Sequence, residues 1–306
     1  MSHFQLQTPI IFMIFKRPDT TQKVFEAIRQ AKPSKLLVIA DGPRPDRPEE
    51  LEQCTATREI IEQVDWECEV LKNYSEQNLG CRKRIPSGLN WAFEQVEEAI
   101  ILEDDCLPHP TFFRFCQEML DYYRHDTRIG SISGDNTPLG YRRTNDSYYF
   151  SIYNRCWGWA TWKRVWKNYD VDMKQWPLFR DNNWLRDILL DDYAVKVWTN
   201  IFNSNYDNLN VWDYQFMFSL WIQGYLNIIP NVNLVSNIGF GEGGTNTFNS
   251  EDTRANVPTQ SMNFPIEHPP FLIRDTLADA FTQKNVYNPY SFPKRIKTKL
   301  KKIFKA

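Results

Sequence analysis

Unbroken apolar runs alternate with amphipathic stretches through the first 130 residues. Pro9 to Phe15 (P-I-I-F-M-I-F), Leu36 to Ala40 (L-L-V-I-A) and Ala99 to Leu102 (A-I-I-L) are continuous apolar segments, and such runs read as strands buried on both faces. Between the first two, Val24, Ala27, Ile28 and Ala31 recur at helical spacing, with Asp19 or Thr20 placed to cap the helix and Pro33 to end it. A second helix is expected from about Pro48 to Val64, then a short strand at Cys68–Leu71. Leu89, Ala92, Phe93 and Val96 mark the apolar face of a third helix, which leads into the 99–103 strand. This alternation predicts an α/β fold, a mostly parallel sheet with right-handed crossovers.

The pattern changes after Pro110. Phe112, Phe115, Met119 and Tyr122 lie on one helical face, and Ile129–Ser133 reads as a further strand. Beyond it the chain is less regular and richer in Trp. Asn154 to Trp166 (N-R-C-W-G-W-A-T-W-K-R-V-W) reads as a turn entering a helix, and 176–192 as loops and short helices. A helix opens at Val211-Trp-Asp-Tyr-Gln215 and stops at Gly224, a strand follows at Leu226–Ile229, and 237–246 is a glycine-rich loop. No internal repeat is visible.

In a parallel sheet the turns after the strands come to one edge, where ligands bind. Arg17, Asp41, the Gly80–Arg84 segment and Glu103-Asp104-Asp105 all fall in such turns or at a helix start. Three adjacent carboxylates at the mouth of a core strand repel one another, and a hard divalent cation such as Mg²⁺, sharing its oxygen ligands with phosphates, would relieve the conflict. Two cations, an acid and the triplet at one edge describe a pocket for a nucleotide diphosphate.

Composition narrows the classes. A net charge of −2 leaves no general footprint for nucleic acid. The six Cys have no paired, zinc-like spacing and read as reduced thiols. With no leader-like N-terminus and no apolar stretch long enough for a bilayer, a cytoplasmic location is expected. The 11 Trp suit either a sugar-binding surface or a core.

With these positions in place, the chain resembles GT-A glycosyltransferases, in the layout of the N-acetylglucosaminyltransferase I family and related bacterial sugar transferases. The resemblance rests on Leu89-Asn-Trp-Ala-Phe93, then Ala99-Ile-Ile-Leu-Glu-Asp-Asp105 and Pro110-Thr-Phe-Phe113, and on Gly158-Trp159 before a Trp-rich helix with Trp212-Asp213 some fifty residues later. It covers roughly residues 9–245. It implies a Rossmann-like GT-A domain over 1–290, with 1–135 as the nucleotide-sugar half and 136–290 as the Trp-rich acceptor half. Asp105 would coordinate Mn²⁺ or Mg²⁺ bridging the donor's phosphates, Glu103 and Asp104 would hold metal-bound water and the ribose, and Arg17 and Asp41 the nucleoside. Arg84 would lie near the diphosphate, with Arg82 and Lys83 competing for that place, and Trp159 would face the donor sugar. Asp213 would be the base of an inverting reaction. The family's late His is missing, since the loop reads Thr245-Asn246-Thr247, leaving Asn246 or solvent and phosphate to complete the metal shell.

Each position also has a plainer reading. Asp213 suits a helix start, Asp41-Gly42-Pro43 an ordinary turn, Arg17-Pro18 a solvated helix entry, and Trp157 and Trp159 a core. Asp135 is a second candidate base. The 291–306 tail places Ile296, Leu300, Ile303 and Phe304 on one helical face among seven basic residues. Such a helix at 294–305 can lie on the inner face of an anionic membrane, and a solvated tail is the other reading. The expected function is a metal-dependent inverting glycosyltransferase, using a UDP-linked donor such as UDP-GlcNAc and a glycan, glycolipid or glycoprotein acceptor. A sugar nucleotidyltransferase and a non-catalytic carbohydrate-binding scaffold of the same fold are the alternatives.

Overall fold

The computed structural model describes residues 4–136, 144–189, 191–207, 211–241 and 254–287. Asn246 and the 294–305 tail lie outside the described residues. The first half follows the alternation of the sequence: β1 (Ile10–Ile14), α1 (Pro18–Ala31), β2 (Lys35–Ala40), α2 (Glu49–Glu59), β3 (Glu69–Tyr74), α3 (Cys81–Gln95) and β4 (Glu98–Glu103). All five residues of β1 are buried, as are five of the six in β2, as continuous apolar runs require of strands covered on both faces.

The chain continues through β5 (Cys106–Pro108), α4 (Pro110–Tyr122), β6 (Ile129–Ser133), β7 (Tyr148–Ser151), β8 (Trp159–Trp162) and the short α5 (Lys163–Trp166). Then come α6 (Trp176–Asp181), α7 (Leu185–Leu189), α8 (Asp192–Tyr206), α9 (Asp213–Ile222), β9 (Leu226–Pro230), β10 (Val235–Asn237) and α10 (Thr276–Thr282). Eight strands form one sheet in the order β3-β2-β1-β4-β8-β6-β9-β7, with β8 and β7 alone running against the other six. This is the mostly parallel, Rossmann-like α/β sheet that the sequence predicts.

One segment corrects the sequence reading and another adds to it. Trp159–Trp162 is a sheet strand, not the approach to a helix, because it fills the gap between β4 and β6 with antiparallel ladders on both sides. The stretch after 191 is a four-turn helix, α8, capped by the Asp191 side chain, which accepts from the Tyr193 and Ala194 N–H groups. A small second sheet pairs β5 with β10, Cys106 opposite Asn237, and so brings the chain after β10 against the acidic triplet.

One core runs through the sheet and its helices, and a second, aromatic cluster gathers Tyr153, Trp176, Trp198, Phe202, Phe218 and Trp221 beneath α8 and α9. No helix among the described residues is long and apolar enough to cross a membrane.

The loops at the carboxyl edge are fixed by a buried acid that the sequence reading passes over. Glu50 is 1% exposed and takes up the Lys16 ammonium at 2.6 Å and the Arg44 guanidinium, tying the turns after β1 and β2 together. Burial works against its charge, but the hydrogen bonds from Arg44 and Lys16 win and hold its carboxyl down at about 2. A depressed carboxylate stabilises the fold above its unfolded pKa near 4.5 and loses that contribution as pH falls toward 2. Glu50→Gln, which strands both cations, is expected to cost roughly 3 kcal/mol of unfolding free energy at neutral pH. Urea melts at pH 7 and pH 3 measure it, and the deficit should shrink at the lower pH.

Candidate active site

β1 continues to β2 on one side of the sheet while β4 lies on its other side, so the strand order reverses between β1 and β4. The crevice outside such a reversal is the place where open α/β sheets bind ligands. A cavity of about 530 Å³ opens there, and Arg17, Asp41, Arg84, Glu103, Asp104, Asp105 and Asp213 all contribute to its wall. Seven of the eight residues singled out in the sequence therefore converge.

Trp159 does not. It is fully buried in β8, with its ring stacked on Trp212 at 5.8 Å and tilted against Phe216 at 5.0 Å. Its effect is indirect, because Trp212 immediately precedes Asp213 and the stack fixes where α9 begins. The neighbouring Trp157, with Trp212, is on the cavity wall, set edge-on to Phe240 at 5.6 Å.

The Arg17 guanidinium pairs with Asp105 Oδ2 at 3.0 Å and Asp104 Oδ1 at 3.3 Å, and also donates to the Gly239 carbonyl at 3.4 Å. Burial alone would lower its pKa, but Asp104, Asp105 and Glu103 raise it overall. Its partners in the ligand-free chain are thus the acids. Asp104 also accepts the Phe15 N–H at 3.0 Å, clipping the end of β1 to the end of β4. The Glu103 carboxylate has no hydrogen bond or ion pair among the described residues. Burial, then Asp105, Asp104 and Asp213, push its pKa well above the ordinary range, with Arg17 in opposition.

Asp41 and Arg84 line the cavity with their polar atoms largely spent. Asp41 accepts from the N–H groups of Gly42 (2.9 Å), Leu79 (2.9 Å) and Gly80 (3.1 Å) and from Asn78 Nδ2 (3.1 Å). A carboxylate offers about four acceptor positions, so it acts as the clasp of the 78–80 turn. Gly80, at φ 71°, supplies the left-handed residue of that turn. Arg84 donates to the Ala40 carbonyl at 3.1 Å and to Asn73 Oδ1 at 2.6 Å, holding the ends of β2 and β3. In this arrangement its guanidinium ties the strand ends at the cavity wall. Arg82 donates to the Asn205 and Val171 carbonyls, and Lys83 is on the exposed surface.

Asp213 is the first residue of α9, with Trp212 as the N-cap. Burial raises its pKa, while the backbone N–H groups of Asp213 and Tyr214 pull it back. It lies near enough to Glu103 to raise that group's pKa too.

Some donor oxygens here are open to a cation. Among the described residues Glu103 has no hydrogen bond or ion pair, and Asp105 Oδ1 has only the Cys106 thiol, at 3.5 Å. Four acids meet Arg17 at one mouth. No group of three or more His, Cys, Asp or Glu converges as a metal shell among the described residues, so a closed, protein-only site does not fit. An open one does, because Mg²⁺-like ions are held by one or two carboxylates and by substrate phosphates.

The sequence reading also misses Gly239. Its N–H donates to Asn237 Oδ1 at 2.9 Å, and a Cβ there would stand 2.1 Å from Asp105 Oδ2 and 2.5 Å from Arg17 Nη1. Nothing in the sequence marks this glycine above its neighbours, since the need for it arises from the β5–β10 ladder. Gly239→Ala is expected to part Arg17 from Asp105 and cost roughly 1–3 kcal/mol, read as a lower urea midpoint with an unchanged slope.

No family model and no curated protein matches the sequence. Among solved structures, mouse xyloside xylosyltransferase 1 is similar at 10% identity over 70% of this chain and 81% of that chain, with a TM-score of 0.35. HddC from Yersinia pseudotuberculosis is similar at 8% identity over 53% and 80%, with a TM-score of 0.33. The 4-diphosphocytidyl-2C-methyl-D-erythritol synthase of Anaerococcus prevotii has 9% identity over 53% and 76%, at the same TM-score of 0.33. Likenesses this slight say nothing of what this chain does.

Proposed function

We propose that this chain is an inverting glycosyltransferase that takes a sugar from a nucleotide-diphospho-sugar, UDP-linked, and passes it to a hydroxyl of a glycan, glycolipid or glycoprotein. The observation that carries the reading is one cavity at the strand-order reversal with the Arg17–Asp104–Asp105 cluster and the half-buried Asp213 on the same wall. The charged cluster would receive the diphosphate, with Arg17 able to turn its donors from the acids to phosphate oxygens. Asp105, with Glu103, would hold a divalent cation, which when bound neutralises the charge that develops on the leaving diphosphate. Asp213 would take the proton of the acceptor hydroxyl as its oxygen attacks the anomeric carbon from the side opposite the departing phosphate.

The link from β1 to α1 is only Phe15-Lys16-Arg17, too short for the glycine-rich phosphate loop that a nucleotidyltransferase would need there. Peripheral membrane contact through 294–305, on the cytoplasmic side, belongs to the same proposal, and flotation of the chain with anionic vesicles tests it.

The deciding experiment is thermal-shift stabilisation by nucleoside diphosphates and their sugars with and without Mn²⁺. A ligand at a hundred times its Kd adds roughly 2.7 kcal/mol. Selective, Mn²⁺-dependent stabilisation by uridine compounds is expected, and a flat panel would move the carbohydrate-binding scaffold ahead.

A further inference from the structure

A second cavity of about 100 Å³ lies beyond Asp213, and Cys156, Trp157, Asp213, Tyr214 and Arg254 belong to both walls. Its polar floor is Asp135, Asn154 and Arg155, on the segments after β6 and β7. The Arg155 and Asp135 side chains, 9% and 4% exposed, face each other at 3.8 Å. Arg155 Nη2 is a buried donor and Asn154 Oδ1 a buried acceptor on this wall, and neither has a hydrogen-bond partner among the described residues. The Asn154 side chain is held by Nδ2 donating to Cys156 Sγ at 3.2 Å, and the backbone at Arg155 by its N–H donating to Ser133 Oγ at 3.1 Å. Buried groups left unpaired in rigid surroundings lose their hydration without return, so the pair is prepared for a polar ligand.

The chemistry of that ligand follows from the wall. Asp135 offsets the charge of Arg155, so an ion gains little here. One donor and one acceptor suit hydroxyl groups, which serve as both. The rings of Trp157, Tyr214 and Tyr287 on the same wall suit the C–H face of a sugar. We infer that this second cavity is a subsite for an uncharged, hydroxyl-bearing sugar ring, held by Asn154 Oδ1 and Arg155 Nη2 and set against Asp213. That the bound ring is the acceptor rests on the transferase reading, whereas the binding of a neutral sugar does not.

The two cavities carry separate reporters, Met13 on the wall of the first and Met217 on the wall of the second. The intact chain, labelled at its methionine methyls, is titrated with glucose, galactose, mannose and N-acetylglucosamine at millimolar concentration, and separately with UDP. At least one sugar is expected to shift Met217 saturably and leave Met13 still, while UDP with Mn²⁺ shifts Met13. Asn154→Leu and Arg155→Lys, the latter keeping the charge opposite Asp135, should each weaken the sugar by about tenfold, the loss of one buried hydrogen bond, without changing the UDP response. If Asn154→Leu does not fold, Arg155→Lys and the unsubstituted chain carry the test. A Met217 signal unmoved by every sugar overturns the inference, and if UDP still moves Met13 the donor reading survives it. Sugar shifts undiminished in both variants, or stronger binding by glucuronate than by glucose, also overturn it. A sugar response with no UDP response upholds the subsite and removes the donor reading.

Discussion

Asp213→Asn is expected to abolish most sugar transfer, by roughly 10²- to 10⁴-fold in kcat, the usual contribution of a positioned base. Donor binding should stay within a factor of about two, because the substitution keeps the shape of the side chain and removes no contact to Arg17. In the unsubstituted chain the base must be ionised. Burial raises the Asp213 carboxyl above its ordinary value of 3.8, so the acid-side fall in activity should lie at a higher pH than an exposed aspartate would give. The sign is fixed: the rate is full above the raised pKa and is lost as pH drops through it. Single-turnover rates with saturating donor, taken across pH, measure both effects. An Asn variant with unchanged kcat would move the role to another group, and Asp135 is next to be tried, as it lines the adjoining cavity.

The place of Asp213 was legible as a pattern, but the reason it is fixed there was not. The strands β1, β2 and β4 were readable because a run such as A-I-I-L has no polar face to offer water, and the turns after them had to meet at one edge. That rule brings Arg17 and the triplet together without knowledge of a single contact. It does not say which way a side chain points. Arg84 and Asp41 lie at the right edge, yet their polar atoms close on Ala40, Asn73 and the 78–80 turn, because buried backbone groups there need partners. Trp159 looked like a sugar platform because a glycine precedes it. It became core because W-A-T-W slots between β4 and β6, and periodicity cannot tell a short apolar strand from the start of a helix. In α8 a signal was present and passed over, since Ala194, Val197, Trp198 and Phe202 recur at helical spacing behind Asp191. The second cavity had no such signal. Asp135 and Arg155 are separated by twenty residues, and only the sheet makes them neighbours.

Asp105→Asn separates the two sources of positive charge available to a diphosphate at this mouth. In the folded chain Arg17 is shared between Asp104 and Asp105, and Glu103 beside them, unpaired among the described residues, is pushed well up by burial and its acidic neighbours. Asp105, with Glu103, would hold a divalent cation whose charge relieves that excess, leaving Arg17 free to donate to phosphate. Removing the Asp105 charge should then lower UDP affinity in Mn²⁺ by about 100-fold, close to 2.7 kcal/mol, and erase the difference between Mn²⁺ and a chelator. The variant itself should fold, because the backbone carbonyl of Asp105 still accepts the Ile238 N–H at 2.8 Å and Asp104 still pairs with Arg17. Calorimetric titration of UDP into both proteins, with Mn²⁺ and then with EDTA, reads the outcome. If the unsubstituted chain binds UDP equally in EDTA, and Asp105→Asn binds it more tightly, the cation is Arg17 itself. Freed from one of its two acids, it would then have more charge to give the diphosphate, and the open metal site would be refuted by the same pair of curves.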